Sequence, residues 1–414
     1  MAAEAGWQTL KSRKSKDLSV LACLEVAVPL PAVKRYDGHS FGTRSVLGHY
    51  SQDDDCAVHM DDREACEMAY KDCREFEKLK DKDLKGDLTE FKWRVEETEA
   101  DGLKPLLKWI LHKMRSEDVE VKKYMRRRAG EVTFVFKRSV MTRILNAPYD
   151  QHSELDKWKL KVCRFQNIIY VCNDREEGWE DYSDDYKERR YWAAKFESLM
   201  TRPINKDGKK LNDCAGYAIV VGTQIKIDKK TKSDSKDPPK ISFILSAEVD
   251  AEQNGAHTKN ATGGLPPATS DCIELKTAYV DLKGEREKNF RSHTLRKTWS
   301  QCWSVGTPSI VYGFLNEKGI LQETKTFRTD DLPKLPLKHW SDAGCLNFVD
   351  DFTMWLVEEV KEELREYTVT YEPRGCEKET PRTSGKMLLR TVGKIPSILT
   401  REFVKEMERY RARS

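Results

Sequence analysis

Hydrophobic positions along this chain switch between two periods, and the switches mark the elements. In "GLKPLLKWILHKM", Leu103, Leu106, Leu107, Ile110, Leu111 and Met114 recur at the spacing of one helix face. "GEVTFVFKRS" then changes to a period of two, with Val132, Phe134 and Phe136 on one side of a strand, and "VMTRILNAPY" returns to helix before Pro148. "WKLKVCRFQNIIYVCN" predicts two strands joined by a tight turn at Gln166 and Asn167. Trp192, Phe196, Leu199 and Met200 predict the buried stripe of a helix in "KERRYWAAKFESLMT". Further strands are predicted in "GYAIVVGTQIKID", "KISFILSAEVD", "IELKTAYVDL" and "PSIVYGFLN". Leu346, Val349, Phe352, Leu356 and Val360 predict an amphipathic helix, and "EYTVTYEP" a last strand.

The intervening text sets the organisation. Residues 1–55, with Pro29, Pro31 and the acidic run Asp53 to Asp55, read as an irregular N-terminal arm, and residues 374–414 as a charged C-terminal tail. From about Arg63 the pattern turns helical and sets Cys66 and Cys73 on one face, two turns apart. The polar stretches 229–240 and 251–270 are the loops expected to be least ordered. Strands and helices interleave over residues 56–373 without a seam or an internal repeat, which predicts a single domain of α/β (α+β) class, mixed sheets flanked by helices.

Composition narrows this only a little. Charged residues are 34% of 414, yet 73 Lys and Arg against 69 Asp and Glu leave a net charge of +4, which permits a nucleic-acid partner without demanding one. The 11 cysteines include no CxxC pair, and no apolar run approaches the roughly 20 residues of a membrane span. Reduced thiols in a nuclear or cytoplasmic protein, away from membranes, are expected. "KSRKSK" is a candidate nuclear address, and Glu25 spoils the signal-peptide reading of the patch after it. Cys56, His59, Cys66 and Cys73 hint at zinc, but structural zinc takes closely spaced ligand pairs, so buried thiols are the stronger reading.

Two strands carry charge where a core residue is expected. Glu248 and Asp250 close one, and Glu274 and Lys276 sit inside the other; residues two apart on a strand share a face. If the strands are neighbours, the four groups meet on one sheet face, where three carboxylates repel and their pKa values rise unless a cation neutralises them. Oxygen ligands without His or Cys suit Mg2+ or Mn2+. A wet strand face explains either pair alone, whereas the two together point to a metal site. An acid on one strand, then an acid, an apolar residue and a lysine on the next, resembles the PD-(D/E)xK nuclease core, with Glu197 on "YWAAKFESLM" as a fourth ligand.

With these residues in view, the chain resembles the DXO decapping exoribonucleases and their fungal relatives, from about Asp101 to Tyr371. The resemblance rests on ordered motifs: "FVFKRSVMTRILNAPY" with Arg138, "VCRFQNIIYVC", "AAKFE" with Glu197, "AEVD" with Glu248 and Asp250, "IELKT" with Glu274 and Lys276, and "WSQCWSVGTPSIVYGF" with Gln301. It implies a catalytic domain that uses divalent metal, two Mg2+ or Mn2+ ions, to hydrolyse RNA 5′ ends. The implied substrates are incomplete or non-standard caps, NAD caps included, and 5′ triphosphate, with 5′-to-3′ exoribonuclease activity in some members. By position, Glu197, Glu248, Asp250, Glu274 and the Leu275 carbonyl would bind metal, with Lys276 and Gln301 at the scissile phosphate and its water. Lys137, Arg138 and Ser139 would hold substrate phosphates, and Arg44 and Asp101 fall near further substrate contacts. Ala193 and Ser139 stand where the family usually has glycine, which bears on substrate preference rather than on hydrolysis. The alternative the family offers is a catalytically weak scaffold that activates a separate 5′-to-3′ exoribonuclease.

Overall fold

The computed structural model describes residues 20–27, 29, 33–37, 39–70, 73–86, 91, 102–126, 128–150, 156–174, 183–205, 215–227, 239–253, 266–336, 339–374, 384–393 and 396–413. Each alternating stretch named above forms a strand. In chain order the strands are β1 (Ala22–Val26), β2 (His39–Phe41), β3 (Ser45–Gln52), β4 (Val58–His59), β5 (Cys66–Met68), β6 (Glu131–Lys137), β7 (Trp158–Phe165), β8 (Ile168–Asp174) and β9 (Thr201–Pro203). They continue as β10 (Gly216–Ile227), β11 (Lys240–Glu248), β12 (Ala251–Glu252), β13 (Cys272–Tyr279), β14 (Ser309–Leu315), β15 (Leu321–Arg328), β16 (Glu366–Glu372) and β17 (Gly385–Gly393). The α-helices are α1 (Cys73–Phe76), α2 (Lys104–Arg115), α3 (Val119–Met125), α4 (Arg138–Asn146), α5 (Asp184–Met200), α6 (Glu285–Asn289), α7 (Leu295–Val305), α8 (Asp342–Glu359) and α9 (Arg401–Arg413).

Two mixed sheets result, as the interleaved pattern predicts. The larger runs β1-β17-β16-β7-β8-β6-β11-β10-β3-β4, with β2 also on β10, and the smaller runs β15-β14-β13-β12-β5-β9. β6 lies parallel to β8 and β11 at the centre of the large sheet, and buries both faces of its "VTFVF" run. The turn from β7 to β8 falls at Gln166 and Asn167, both with positive φ (53° and 63°), the backbone that joins two twisted strands through two residues.

The core is layered. One face of the large sheet packs on α2, α3 and α9 through Val135, Tyr170 and Ile244 with Leu106, Val121 and Phe403. The other face packs on α4, α7 and α8, and these helices also take the inner face of the small sheet through Ile310, Tyr312 and Phe314. Helix α5 covers the small sheet's outer face with Phe196 and Met200. Two hydrogen bonds lock α4 to α7: Asn146 Nδ2 donates to Ser300 Oγ at 2.9 Å, and Arg296 Nε to Asn146 Oδ1 at 2.7 Å. That lock fixes the helices that carry Arg138 and Gln301.

Four expectations are corrected here. The N-terminal stretch is not irregular throughout: β1, β2 and β3 are strands of the large sheet, and β1 pairs with β17. The C-terminal stretch likewise holds β17 and α9, whose Phe403 and Met407, one turn apart, are buried. β1 and β2, of five and three residues, are too short for a period to stand out. Cys66 lies in β5 and Cys73 opens α1, so they do not share a helical face, and His59 Nε2 is engaged by Asp53 Oδ2 at 2.7 Å. The fourth is that β11 and β13 are not neighbours; they belong to different sheets.

Candidate active site

What joins the two acid-bearing strands is the chain itself. After β11 ends at Glu248, Val249 and Asp250 carry the backbone from the large sheet to the small one, where Ala251 begins β12 beside β13. β12 lasts two residues, paired with Ile273 and Cys272, so beyond Ile273 that edge of β13 has no strand on it. The N–H of Leu275 would be the next ladder donor. Asp250 Oδ2 accepts from it at 2.7 Å, which finishes the ladder with a side chain and fixes a carboxylate beside the next acid on the strand.

That next acid is Glu274, only 1% exposed. Arg138 Nη1 donates to its Oε2 at 2.7 Å, and Lys276 Nζ lies 2.5 Å from its Oε1. Lys276 Nζ also lies 3.7 Å from Asp250 Oδ2 and donates to the Leu275 carbonyl at 3.1 Å. Two acids are therefore interleaved with two cations. Burial alone would raise the Glu274 carboxyl, but the Arg138 guanidinium and the Lys276 ammonium outweigh it and hold the group well below the usual carboxylate range. Burial and the Glu274 charge push Asp250 up. Burial would lower Lys276, yet Glu274 and Asp250 hold it above its ordinary value, so it is cationic at neutral pH. Rather than repelling alike, the two acids divide into one held ionised and one pushed toward protonation.

Glu248 faces a cavity of about 300 Å³ whose lining includes Lys137, Arg138, Ser139, Asn173 and Gly216. A Cβ at Gly216 would come within 2.6 Å of Glu248 Oε1, so a side chain there would displace the Glu248 carboxylate from its place at the cavity. Arg138 opens α4 directly after β6, and Arg138, Ser139 and Val140 of its first turn line the cavity, while the Arg138 guanidinium donates to Glu274, which is outside that lining. Ser139 Oγ accepts from Asn173 Nδ2 at 3.0 Å. Asn173 was missed from sequence; its one signal is an amide following Ile169 and Val171 at a spacing of two.

The other predicted residues fall into place as follows. Glu197 is half-buried on α5, which packs on β13, and Ala193 lies one turn before it. Gln301 is half-buried on α7, next to Cys302, outside the cavity lining. Arg44 stands at the start of β3, whose other end, Gln52, pairs with Gly216, so it lies at the end of the strand remote from Glu248. Its guanidinium stacks 4.2 Å from the Trp303 ring, burial lowers its pKa to about 10, and its Nε and Nη2 meet no acceptor among the described residues. Asp101 lies outside the described residues.

The donor set fits a hard divalent cation. Glu248, Asp250 and Glu274 offer carboxylate oxygens, and Glu274 Oε1 already faces the Lys276 ammonium at 2.5 Å. Among the described residues the group whose ligand atoms lie within 4.8 Å of one another is Asp150, Asp156 and His293, where Arg296 donates to Asp150 and supplies positive charge; Glu197 and Glu248 do not gather with Asp250 and Glu274 at that distance. Among the described residues no helix is long and apolar enough to cross a membrane.

Comparison with known proteins gives a consistent picture. The family profile described as RAI1-like PD-(D/E)XK nuclease matches residues 45–403. The chain is 27% identical over 278 residues to decapping nuclease RAI1 of Cryptococcus neoformans, covering 64% of each chain. It is 29% identical over 263 residues to decapping nuclease RAI1 of Neurospora crassa (58% of each), and 26% identical over 270 residues to the decapping and exoribonuclease protein of Xenopus laevis (63% of this chain, 61% of that one). It thus spans between 58% and 64% of the length of these relatives. Scheffersomyces stipitis Rai1, solved with (3'-NADP)+ and calcium ion, shares the fold at a TM-score of 0.69 and 19% identity, over 93% of this chain and 98% of that one. Candida albicans Rai1, solved with pU5-Mn2+, shares it at 0.69 and 20% identity, over 94% of this chain and 100% of that one.

Proposed function

Because the chain belongs to the RAI1-like PD-(D/E)XK nuclease family, we propose that it is a divalent-metal-dependent hydrolase of RNA 5′ ends. Its substrates on this reading are incomplete or non-standard caps, NAD caps included, and 5′ triphosphate, with 5′-to-3′ exoribonuclease activity on the body. The observation that carries it is the interleaved group of Asp250, Glu274, Lys276 and Arg138 at the point where the chain crosses between sheets. The names of the relatives and the nucleotides and metals in the two solved structures support the same reading.

In this reading Glu197, Glu248, Asp250, Glu274 and the Leu275 carbonyl hold Mg2+ or Mn2+, as two ions. When bound, the metal supplies a water of lowered pKa and neutralises charge on the phosphate. The remaining work falls to the chain. Lys137, Arg138 and Ser139 take the substrate phosphates, with Arg138 anchored by Glu274 so that its fork is already oriented. Lys276, held cationic by its two acids, acts at the scissile phosphate as a donor and not as a base. Gln301 orients the attacking water, and Arg44 offers its orphan nitrogens to a more distant part of the RNA.

The test is incubation with RNAs differing only at the 5′ end, as monophosphate, triphosphate, NAD cap and unmethylated cap, with magnesium, manganese or chelator. Metal-dependent release of the intact cap or of pyrophosphate is expected, and it vanishes in the double variant Glu248→Ala with Asp250→Ala. The alternative is a catalytically weak scaffold that activates a separate 5′-to-3′ exoribonuclease. RNA bound but uncut with either metal would sink the hydrolase in favour of that scaffold.

A further inference from the structure

Two elements run from the acid site toward a second cavity. β13 continues from Glu274 and Lys276 to Thr277 and Tyr279, and α5, packed on it, reaches back from Glu197 to Arg189, about two turns earlier. The cavity between them has a volume of about 740 Å³, more than twice that of the one beside Glu248. Arg189, Thr277 and Tyr279 line it, with Arg286 and Phe290 on the wall formed by α6 and the turn after it.

Three features suit this cavity to single-stranded RNA. The first is an open strand edge. β14 pairs with β13 as far as Tyr279, whereas β12 covers the other edge only at Cys272 and Ile273. The alternation that turns the Leu275 N–H to Asp250 also turns the N–H groups of Thr277 and Tyr279 to that edge, where no strand among the described residues pairs with them. Backbone N–H groups are ordinary partners of phosphate oxygens. The second is charge on both walls. Arg189 and Arg286 are exposed, and their partners, Asp185 one turn back on α5 and Glu317 at 3.5 Å, are exposed carboxylates that hold a guanidinium weakly and yield it to a phosphate. The third is aromatic. Tyr279 is half-buried at the groove, and Phe290 opens the π-helical turn Phe290–Thr294, a distortion that recurs at functional sites. A ring beside paired cations is the platform on which unpaired bases stack. A peptide strand could use the open edge, but it has no need of a guanidinium on either wall.

We propose that this groove takes the body of the RNA just behind the scissile phosphate: Arg189 and Arg286 each hold one backbone phosphate, and Tyr279 stacks on a base. The proposal rests on the reading of the chain as an RNA 5′-end hydrolase with Lys276 at the scissile phosphate.

The test is isothermal titration of the full-length protein with a 5′-phosphorylated dinucleotide and a 5′-phosphorylated pentanucleotide, in chelator and over a series of salt concentrations. The wild type is expected to bind the pentanucleotide at least about tenfold tighter. Arg189→Ala with Arg286→Ala is expected to remove that advantage, to leave the dinucleotide within about twofold, and to reduce the salt slope for the pentanucleotide by about 1.4, which is 0.7 for each phosphate on a single strand. Tyr279→Leu is expected to weaken the pentanucleotide about tenfold with no change in slope. Arg409→Ala, on α9 at the far face of the large sheet, is the control for net charge and should match the wild type. Equal binding of the two RNAs by the wild type overturns the proposal, as does a loss in Arg409→Ala equal to that in the double variant. Pentanucleotide affinity and slope unchanged in the double variant also overturn it and leave the open edge of β13 to a peptide strand. Hydrolysis by the wild type is followed separately: its absence with every metal overturns the hydrolase reading, while the difference between the two RNAs judges the groove.

Discussion

Replacing Glu274 by glutamine decides whether the acids of this site repel one another or are held by the cations between them. If repulsion dominated, removing a charge would stabilise the metal-free protein. The geometry gives the opposite sign: Glu274 is 1% exposed, 2.7 Å from Arg138 and 2.5 Å from Lys276, whose side chains are 14% and 30% exposed. Removing one member of a buried pair costs about 3 to 5 kcal/mol. Lys276, the more exposed cation, keeps Asp250 and some water, so we expect a loss of about 3 kcal/mol. Glu248→Gln serves as the control, since that residue is exposed at the end of β11, and its stability should stay within about 0.5 kcal/mol of wild type. Both variants lose hydrolysis if the proposed ligand set is right. The assay is urea unfolding in chelator. Because the folded Glu274 carboxyl lies below its ordinary 4.5, at about 2, its stabilisation is present above 4.5 and is lost as pH falls through the folded value, so the gap between wild type and Glu274→Gln should narrow from about pH 4.5 downward and close only near pH 2. A Glu274→Gln protein as stable as wild type at pH 7 would refute the ion-pair account.

Three further outcomes follow from the same structure. Asp351 accepts from Tyr36 Oη at 2.9 Å, and burial pushes its carboxyl up to about 7. Its contribution is full below the ordinary 3.8 and is lost as pH rises through 7, so Asp351→Asn should gain about 2 to 4 kcal/mol over wild type at pH 8 and little at pH 4, read from melting curves. A Cβ at Gly313 would come within 2.5 Å of the Phe196 ring, so Gly313→Ala should destabilise by about 1 to 3 kcal/mol in urea unfolding. Arg44→Met should leave cap release from a short RNA within about twofold while weakening binding of longer RNA more than Arg44→Lys does, measured by anisotropy at two salt concentrations.

How much of this was open to the sequence depends on the distance over which each feature is decided. Periods of two and of three to four are local, so β6 to β8, β10, β11, β13, β14 and the helices α2, α4, α5 and α8 were legible, as was the turn at Gln166 and Asn167. Sheet membership is not local. "KISFILSAEVD" and "IELKTAYVDL" look like partners because each carries an acid pair, yet only the two residues of β12, too short to show a period, reveal that the chain changes sheets between them. The arrangement of the acids was therefore misread, since the strands that carry them lie in different sheets. The pairing of Arg138 with Glu274, 136 residues apart, has no local trace, and neither does the orphan oxygen of Asn173.

That arrangement explains why a buried acid pair is tolerable at all. Two carboxylates beside a strand edge would take up a proton rather than stay charged in a poorly solvated cleft. Arg138 and Lys276 come from elements the fold cannot move independently: Arg138 opens a helix locked to α7 through Asn146, and Lys276 shares its strand with Glu274. The cations keep Glu274 ionised before any metal arrives. A ligand that is already deprotonated and already oriented releases no proton and loses little side-chain freedom when a cation binds. Arg138 also lines the cavity, beside Lys137 and Ser139, the residues proposed to take substrate phosphates. On the proposed function one guanidinium would set both the charge of the acid and the position of the anion, which would tie metal affinity to phosphate affinity. Arg138→Met should therefore weaken both, and a variant that lost phosphate binding while keeping metal affinity would break that link.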